Sequence, residues 1–281
     1  MPDVGGRWVA HDRVMERAPI GNIELEYEVR GTGEAVVLIH AGVAAHWFRA
    51  FIDEPALAGY RVVHYHRAGY AGSDRVDGPL SLPEMAEHCR LLMRHLGIER
   101  AHVVGHSSSA CMALQLALAH PEAVASLALL ETALQAVPTG PYGPAAVERY
   151  RAGDPAGALD VWMRGVSGED YRSTFDSVLP GAFDQAVRDA DTFFTQELPA
   201  LRGWTFGPEE AVAVTAPVLA VLGARSKEVT PVFDERHELL LAWLSTVESF
   251  VLPDATHLLH VQNPTGLAEA LARFFARHPV G

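Results

Sequence analysis

The chain has 281 residues, 49% of them hydrophobic, with 35 acidic against 22 basic side chains and a formal net charge of −13. That length holds one large domain or two small ones around a sizeable core, and an acidic balance with no basic run excludes nucleic acid and anionic membrane surfaces as partners. Two cysteines, Cys89 and Cys111, fit a reducing compartment rather than a disulfide framework.

The opening stretch MPDVGGRWVAHDRVMER is charged and lacks the apolar segment of a signal peptide. No stretch reaches the ~20 apolar residues of a membrane span, so the expectation is a soluble, cytoplasmic protein. Met1 to Pro19 read as a loosely attached lead-in. Ile23–Arg30 alternates apolar and charged residues, as a half-solvated strand near a sheet edge does. Beyond Gly31-Thr32-Gly33, the run Ala35–Ile39 reads as a strand buried on both faces and ends in His40-Ala41-Gly42. A strand over Tyr60–His64 leads into the glycine-punctuated loop from His66 to Asp74. Ser81-Leu82-Pro83-Glu84 has the form of a capping box, opening a helix that runs to about Leu96 and stops at Gly97.

The stretch from Ala101 to Ala119 is a short buried strand, a tight turn and an apolar helix. The turn, Gly105-His106-Ser107-Ser108-Ser109, sets a serine among small residues. Such a turn lifts the hydroxyl clear of the sheet, above a helix N-terminus that favours negative charge. Ala125–Leu130 reads as another buried strand, closed by Glu131-Thr132. From about Val137 to Gly207 the chain is helical, aromatic and broken by Pro and Gly. Alternation resumes with a strand at Pro217–Gly223, a helix around Phe233–Trp243, a strand at Val247–Leu252, a loop at His257 and a helix over Gly266–Arg277. This order predicts a mostly parallel sheet flanked by helices, with a helical insertion over the carboxyl ends of the strands, where ligands bind.

Five ordered stretches carry a family resemblance: VVLIHAG, HRAGYAGSD, GHSSS, PVLAVLG and DATHLLHVQNP. Over roughly Ile23 to Pro279 the chain resembles the α/β-hydrolases with a helical cap. The resemblance implies an α/β-hydrolase fold, its core formed by residues 1–136 and 208–281. A cap of residues 137–207 follows the strand after the nucleophile elbow. It also implies Ser107 as nucleophile and His257 as the base that takes the serine's proton and returns it to the leaving group. The elbow departs from the usual G-x-S-x-G in carrying Ser109 where the second glycine would stand. His260, close behind His257, is expected to pack.

The third member of the triad is where the sequence departs most. Most relatives carry an aspartate three residues after the glycine that ends PVLAVLG; here that position is Ser226, which cannot hold a negative charge. Either the protein is inactive, or Glu228 substitutes from the same loop, or the acid has moved. Glu131, at the end of the strand after the elbow, matches the placement in zearalenone-type lactonases and some haloalkane dehalogenases. A glutamate closing an apolar strand is otherwise an unpaired charge in an apolar place. Glu131 is therefore the expected acid.

The oxyanion hole should use the backbone N–H of Ser108 and, by resemblance, that of Gly42, with Val43 replacing Gly42 if the register slips. His40 is expected to brace that loop. A serine nucleophile points to acyl transfer at a carbonyl, in an ester, a lactone or a carbon–carbon bond beside a ketone, unlike the aspartate of dehalogenases and epoxide hydrolases. Among the cap aromatics, which include Tyr171 and Phe194, the candidates for substrate contact are Trp162, Phe193 and Trp204, together with Val43. Such a lining suits a small hydrophobic ester or lactone. His64 and His66 alternate at a strand end without acidic or cysteine partners placed to complete a metal site, so neither metal nor cofactor is expected. The expectation is a cofactor-free serine hydrolase. The rival, fed by the lost aspartate, is a non-catalytic or single-turnover small-molecule binding protein on the same fold.

Overall fold

The structure is a computed structural model that describes residues 15–281. Its apolar runs form a single eight-stranded sheet: β1 (Glu16–Ile20), β2 (Ile23–Arg30), β3 (Ala35–Ile39), β4 (Arg61–Tyr65), β5 (Ala101–His106), β6 (Val124–Leu130), β7 (Val218–Gly223) and β8 (Val247–Leu252). The strand order is β1-β2-β4-β3-β5-β6-β7-β8. β1 and β2 pair antiparallel, β2 meets β4 antiparallel, and β3 to β8 run parallel. Every residue of β3, β5, β6 and β7 is buried, since helices cover both faces. Alternation divides these strands between two cores: Val37, Ile39 and Val103 face one, Val36, Leu38 and Val104 the other.

One expectation fails at the start of the sheet. Glu16–Ile20, within the supposed lead-in, is an edge strand whose Ala18 and Ile20 are buried. Pro19 points outward there, where a missing N–H does no harm. Arg17 reaches across to Glu24 and Asp74. The rest of the supposed lead-in, including most of the stretch considered as a signal peptide, lies outside the described residues.

The chain leaves β3 for β4 on one side and returns to β5 on the other, so a topological switch point falls between β3 and β5. The register puts Ile39 beside Gly105 and His106 beside Leu130. The segments that follow β3, β5 and β6 therefore emerge together at one edge of the sheet.

Between β6 and β7 the chain is helical: Tyr142–Arg151, Pro155–Ser167, Tyr171–Val178, Ala182–Arg188, a π-helical turn at Thr192–Glu197, and Leu198–Arg202. The π turn is tied to the sheet by a buried cluster. Glu197 accepts from Arg67 at 2.8 Å and from the Tyr70 hydroxyl, both in the loop after β4. Among the described residues, no helix is long and apolar enough to cross a membrane.

Gly105 is the tightest point of this frame. A Cβ there would lie 2.3 Å from the Ser109 carbonyl oxygen and 2.7 Å from Ala110 Cα, both backbone atoms that cannot swing away. Gly105→Ala should lower stability by about 1–3 kcal/mol, read as a lower urea midpoint. Gly59→Ala, with nothing within 4 Å of the added atom, should stay within about 0.5 kcal/mol.

Candidate active site

Ser107 sits at φ 56°, ψ −115°, a conformation that costs a non-glycine residue on the order of 1–3 kcal/mol. Its backbone is held there from both sides. The Ser107 N–H donates to the Leu130 carbonyl at 2.8 Å, and its own carbonyl accepts from Ala133 at 3.1 Å and Ala110 at 3.2 Å. The helix Ser108–Ala119 starts immediately after it, and the Ser107 side chain makes no capping bond to that helix. Its hydroxyl instead borders a cavity. Ser109 is fully buried and donates its hydroxyl to the His40 carbonyl, tying the elbow to the loop after β3. That bond gives a serine a use where the usual motif has glycine.

Glu131, at φ 44°, turns its side chain out of β6 towards the loops after β7 and β8. Its Oε2 lies 2.6 Å from His257 Nδ1. Its Oε1 accepts the Gly223 N–H at 2.7 Å and the Ser226 hydroxyl. A carboxylate accepting at Nδ1 assigns the proton to that nitrogen and leaves Nε2 as an acceptor. Two rings pack on the imidazole, Phe233 stacked at 4.2 Å and His106 tilted at 4.6 Å between ring centroids, and His106 Nε2 also donates to the His257 backbone carbonyl at 3.0 Å. Burial disfavours charge on both partners. It pushes Glu131 up to about 7, against the opposing pull of Ser226 and Gly223. It also holds His257 down at about 3, with the Arg236 charge adding to the effect.

Ser107 and His257 line one and the same open cavity. Val43, Trp162 and Phe193 line it too, so the loop after β3 and the helical insertion share its walls. The Gly42 N–H, one expected oxyanion donor, donates at 3.0 Å to the Ser108 hydroxyl. The next residue, Val43, has φ 72°. A Cβ on Gly42 would strike the Phe193 ring at 2.6 Å and Glu197 Oε1 at 2.8 Å, so the insertion packs hard on this loop.

A family model described as the alpha/beta hydrolase fold matches residues 34–166. In solved structures the likeness extends further. A protein described as "Est816 as an N-Acyl homoserine lactone degrading enzyme" superposes with a TM-score of 0.72 at 22% identity, covering 92% of this chain and all of the other. The chain has the α/β-hydrolase fold. Curated sequences align over a shorter part of this hydrolase fold. A fluoroacetate dehalogenase from a Burkholderia species is 37% identical over 121 residues, which is 40% of this chain and 38% of that protein. The 2-hydroxy-6-oxo-6-phenylhexa-2,4-dienoate hydrolase of Comamonas testosteroni is 36% identical over 116 residues, 38% of this chain and 39% of that protein. The aligned part thus spans about two fifths of the length of the curated relatives.

Other expected residues fall outside this hydrolase-fold site. Trp204 belongs to the opposite core, stacked on Phe206 with its indole N–H on Gln115, because the chain has already passed beyond the cavity when it reaches that residue. Phe194 stacks on Tyr150, and the Tyr171 hydroxyl donates to Asp160. Glu228 is 55% exposed and pairs with Arg225, away from His257. His64 and His66 lie against Glu28 and Glu26, and no group among the described residues could hold a metal ion. His40 accepts the Arg67 N–H at its Nε2. His260 packs between the rings of Phe48 and His106. The sequence reading missed Ser226 and Phe233 as supports of the Glu131–His257 pair. It also missed Arg236 in the cavity wall. Ser226 stands where an acid usually does, and that place in the sequence is the signal for its role.

Burial should make the Glu131 carboxyl titrate near pH 7, above the ordinary carboxylate range. Carbon-13 NMR of the Glu131 carboxyl measures this directly. Ser226→Ala removes a donor that favours the ionised form, so its midpoint should move to higher pH.

Proposed function

We propose that this protein is a serine hydrolase that cleaves a carboxylic ester or lactone through an acyl-enzyme at Ser107. One observation carries the reading: a serine strained at the elbow opens into the same cavity as an imidazole whose other nitrogen lies 2.6 Å from a buried carboxylate. His257 Nε2 takes the Ser107 proton as Oγ attacks the carbonyl carbon, and the charge moves onto the carbonyl oxygen. The Ser108 N–H and the loop from Gly42 to Val43 receive that oxygen. His257 then protonates the departing alkoxide, activates a water against the acyl-enzyme and restores the serine. Glu131 holds the imidazole in the required tautomer and stabilises its transient charge. Residues 137–207 act as the cap that selects the substrate, with Val43, Trp162 and Phe193 as apolar contacts.

The similarity to a dehalogenase does not extend to its chemistry in this reading. A serine attacking an alkyl carbon would form an ether, which neither His257 nor water can open. At a carbonyl the same oxygen forms an ester, which water can. The similarity to a lactone-degrading enzyme agrees with that choice.

Intact mass after incubation with a fluorophosphonate should show one adduct on the wild type and none on Ser107→Ala. No adduct on a folded wild type would make a binding role the better reading. On an accepted ester, Glu131→Gln should lower kcat by roughly 10³–10⁴-fold. Glu228→Gln should change it less than about twofold, and equal small losses in the two variants would overturn the acid assignment.

A further inference from the structure

The wall of the cavity contains a cation with no counter-ion among the described residues. Arg236 follows Phe233 by one turn on the helix Val232–Trp243, so both side chains share the face that looks towards His257. It is only 3% exposed. One terminal nitrogen donates to the Val137 carbonyl at 2.8 Å, while its buried Nε has no partner. The Tyr142 hydroxyl, also buried and unpartnered, lines the same cavity, and Arg202 stands exposed among the lining residues. Among the described residues, no aspartate or glutamate is in that lining.

A buried guanidinium without a counter-ion is expensive, and removing one partner of a buried pair ordinarily leaves the other strongly destabilising. Here the cation is kept inside a chain whose overall charge is −13. Its planar fork, held by one carbonyl and otherwise free, has the geometry that takes a carboxylate with two parallel hydrogen bonds. Tyr142 is close enough for the two groups to sense each other electrostatically.

We propose that Arg236 and Tyr142 form an anion subsite within the cavity, so that the ester or lactone cleaved at Ser107 carries a carboxylate. The inference rests on the hydrolase reading above and deepens it from an apolar substrate to an amphiphilic one. The apolar wall of Trp162 and Phe193 takes the hydrocarbon part, and Arg236 fixes the charged end. Arg236 is a specificity residue in this account, not a member of the triad.

The test uses two esters that differ only in charge: mono-(4-nitrophenyl) glutarate and its methyl-capped, neutral counterpart. The wild type should favour the anionic ester in kcat/KM by roughly tenfold or more, mainly through KM. Arg236→Gln should bring that ratio to about one, and Arg236→Lys should recover part of it. A structural role alone would lower turnover of both esters equally and leave the ratio intact. Free glutarate should slow fluorophosphonate labelling of the wild type. A wild-type ratio near one, or a ratio unchanged in Arg236→Gln, overturns the subsite while leaving the hydrolase reading in place. Should Arg236→Gln not fold, the wild-type ratio and the glutarate protection decide. Should labelling of Ser107 fail altogether, the hydrolase reading falls, and calorimetry of glutarate on the wild type decides the subsite: binding sustains it and no binding overturns it.

Discussion

Burying an ionisable carboxyl group costs several kcal/mol unless donors surround it, and the site is built around meeting that cost at Glu131. Three donors converge on the one side chain, from the end of β7, from the turn at Ser226 and from the loop after β8. Charge-assisted bonds of this kind are worth about 1.5–3 kcal/mol each and offset part of the burial, the remainder showing as the raised proton affinity of Glu131. Two of the donors come from the turn that ends β7 and the third from the loop after β8, so satisfying the carboxylate also holds those two segments together. The imidazole placed by this arrangement is then clamped by Phe233 and His106, leaving only Nε2 to face the cavity.

The same economy governs the far side of the cavity. Glu197 is buried at the end of the π-helical turn and is met by Arg67 and Tyr70 from the loop after β4. One of its oxygens lies against Gly42, whose missing side chain makes room for the contact. The helical insertion is therefore fastened to the loop that borders the elbow. Its position and the geometry around the Ser108 hydroxyl depend on one another.

The parallel sheet was legible from short, β-branched-rich apolar runs bounded by turn residues, because strands buried on both faces are apolar throughout. The elbow was legible for a different reason: only small residues fit where Gly105 meets the Ser109 and Ala110 backbone. Glu131 could be read because a charge at the end of an apolar strand calls for a partner. The edge strand Glu16–Ile20 was obscured by Pro19 and two charged residues, which an outer strand tolerates and an inner one does not. The cap aromatics could not be sorted, since Trp204 and Trp162 are equally apolar and only the path of the backbone decides which core each joins. Arg236 was invisible for the opposite reason. On a helix with acidic neighbours an arginine reads as surface, and its burial is a fact of tertiary packing alone.

The position of Glu131 also orders the making of the site in time. Ser107 and Glu131 belong to one continuous strand–helix–strand unit, joined by the bond from the Ser107 N–H to the Leu130 carbonyl. A ribosome that has released this unit has delivered Ser107 and Glu131, but not His257. Residue 257 emerges only after the helical insertion, β7 and β8. On the proposed mechanism, the serine therefore gains its base last.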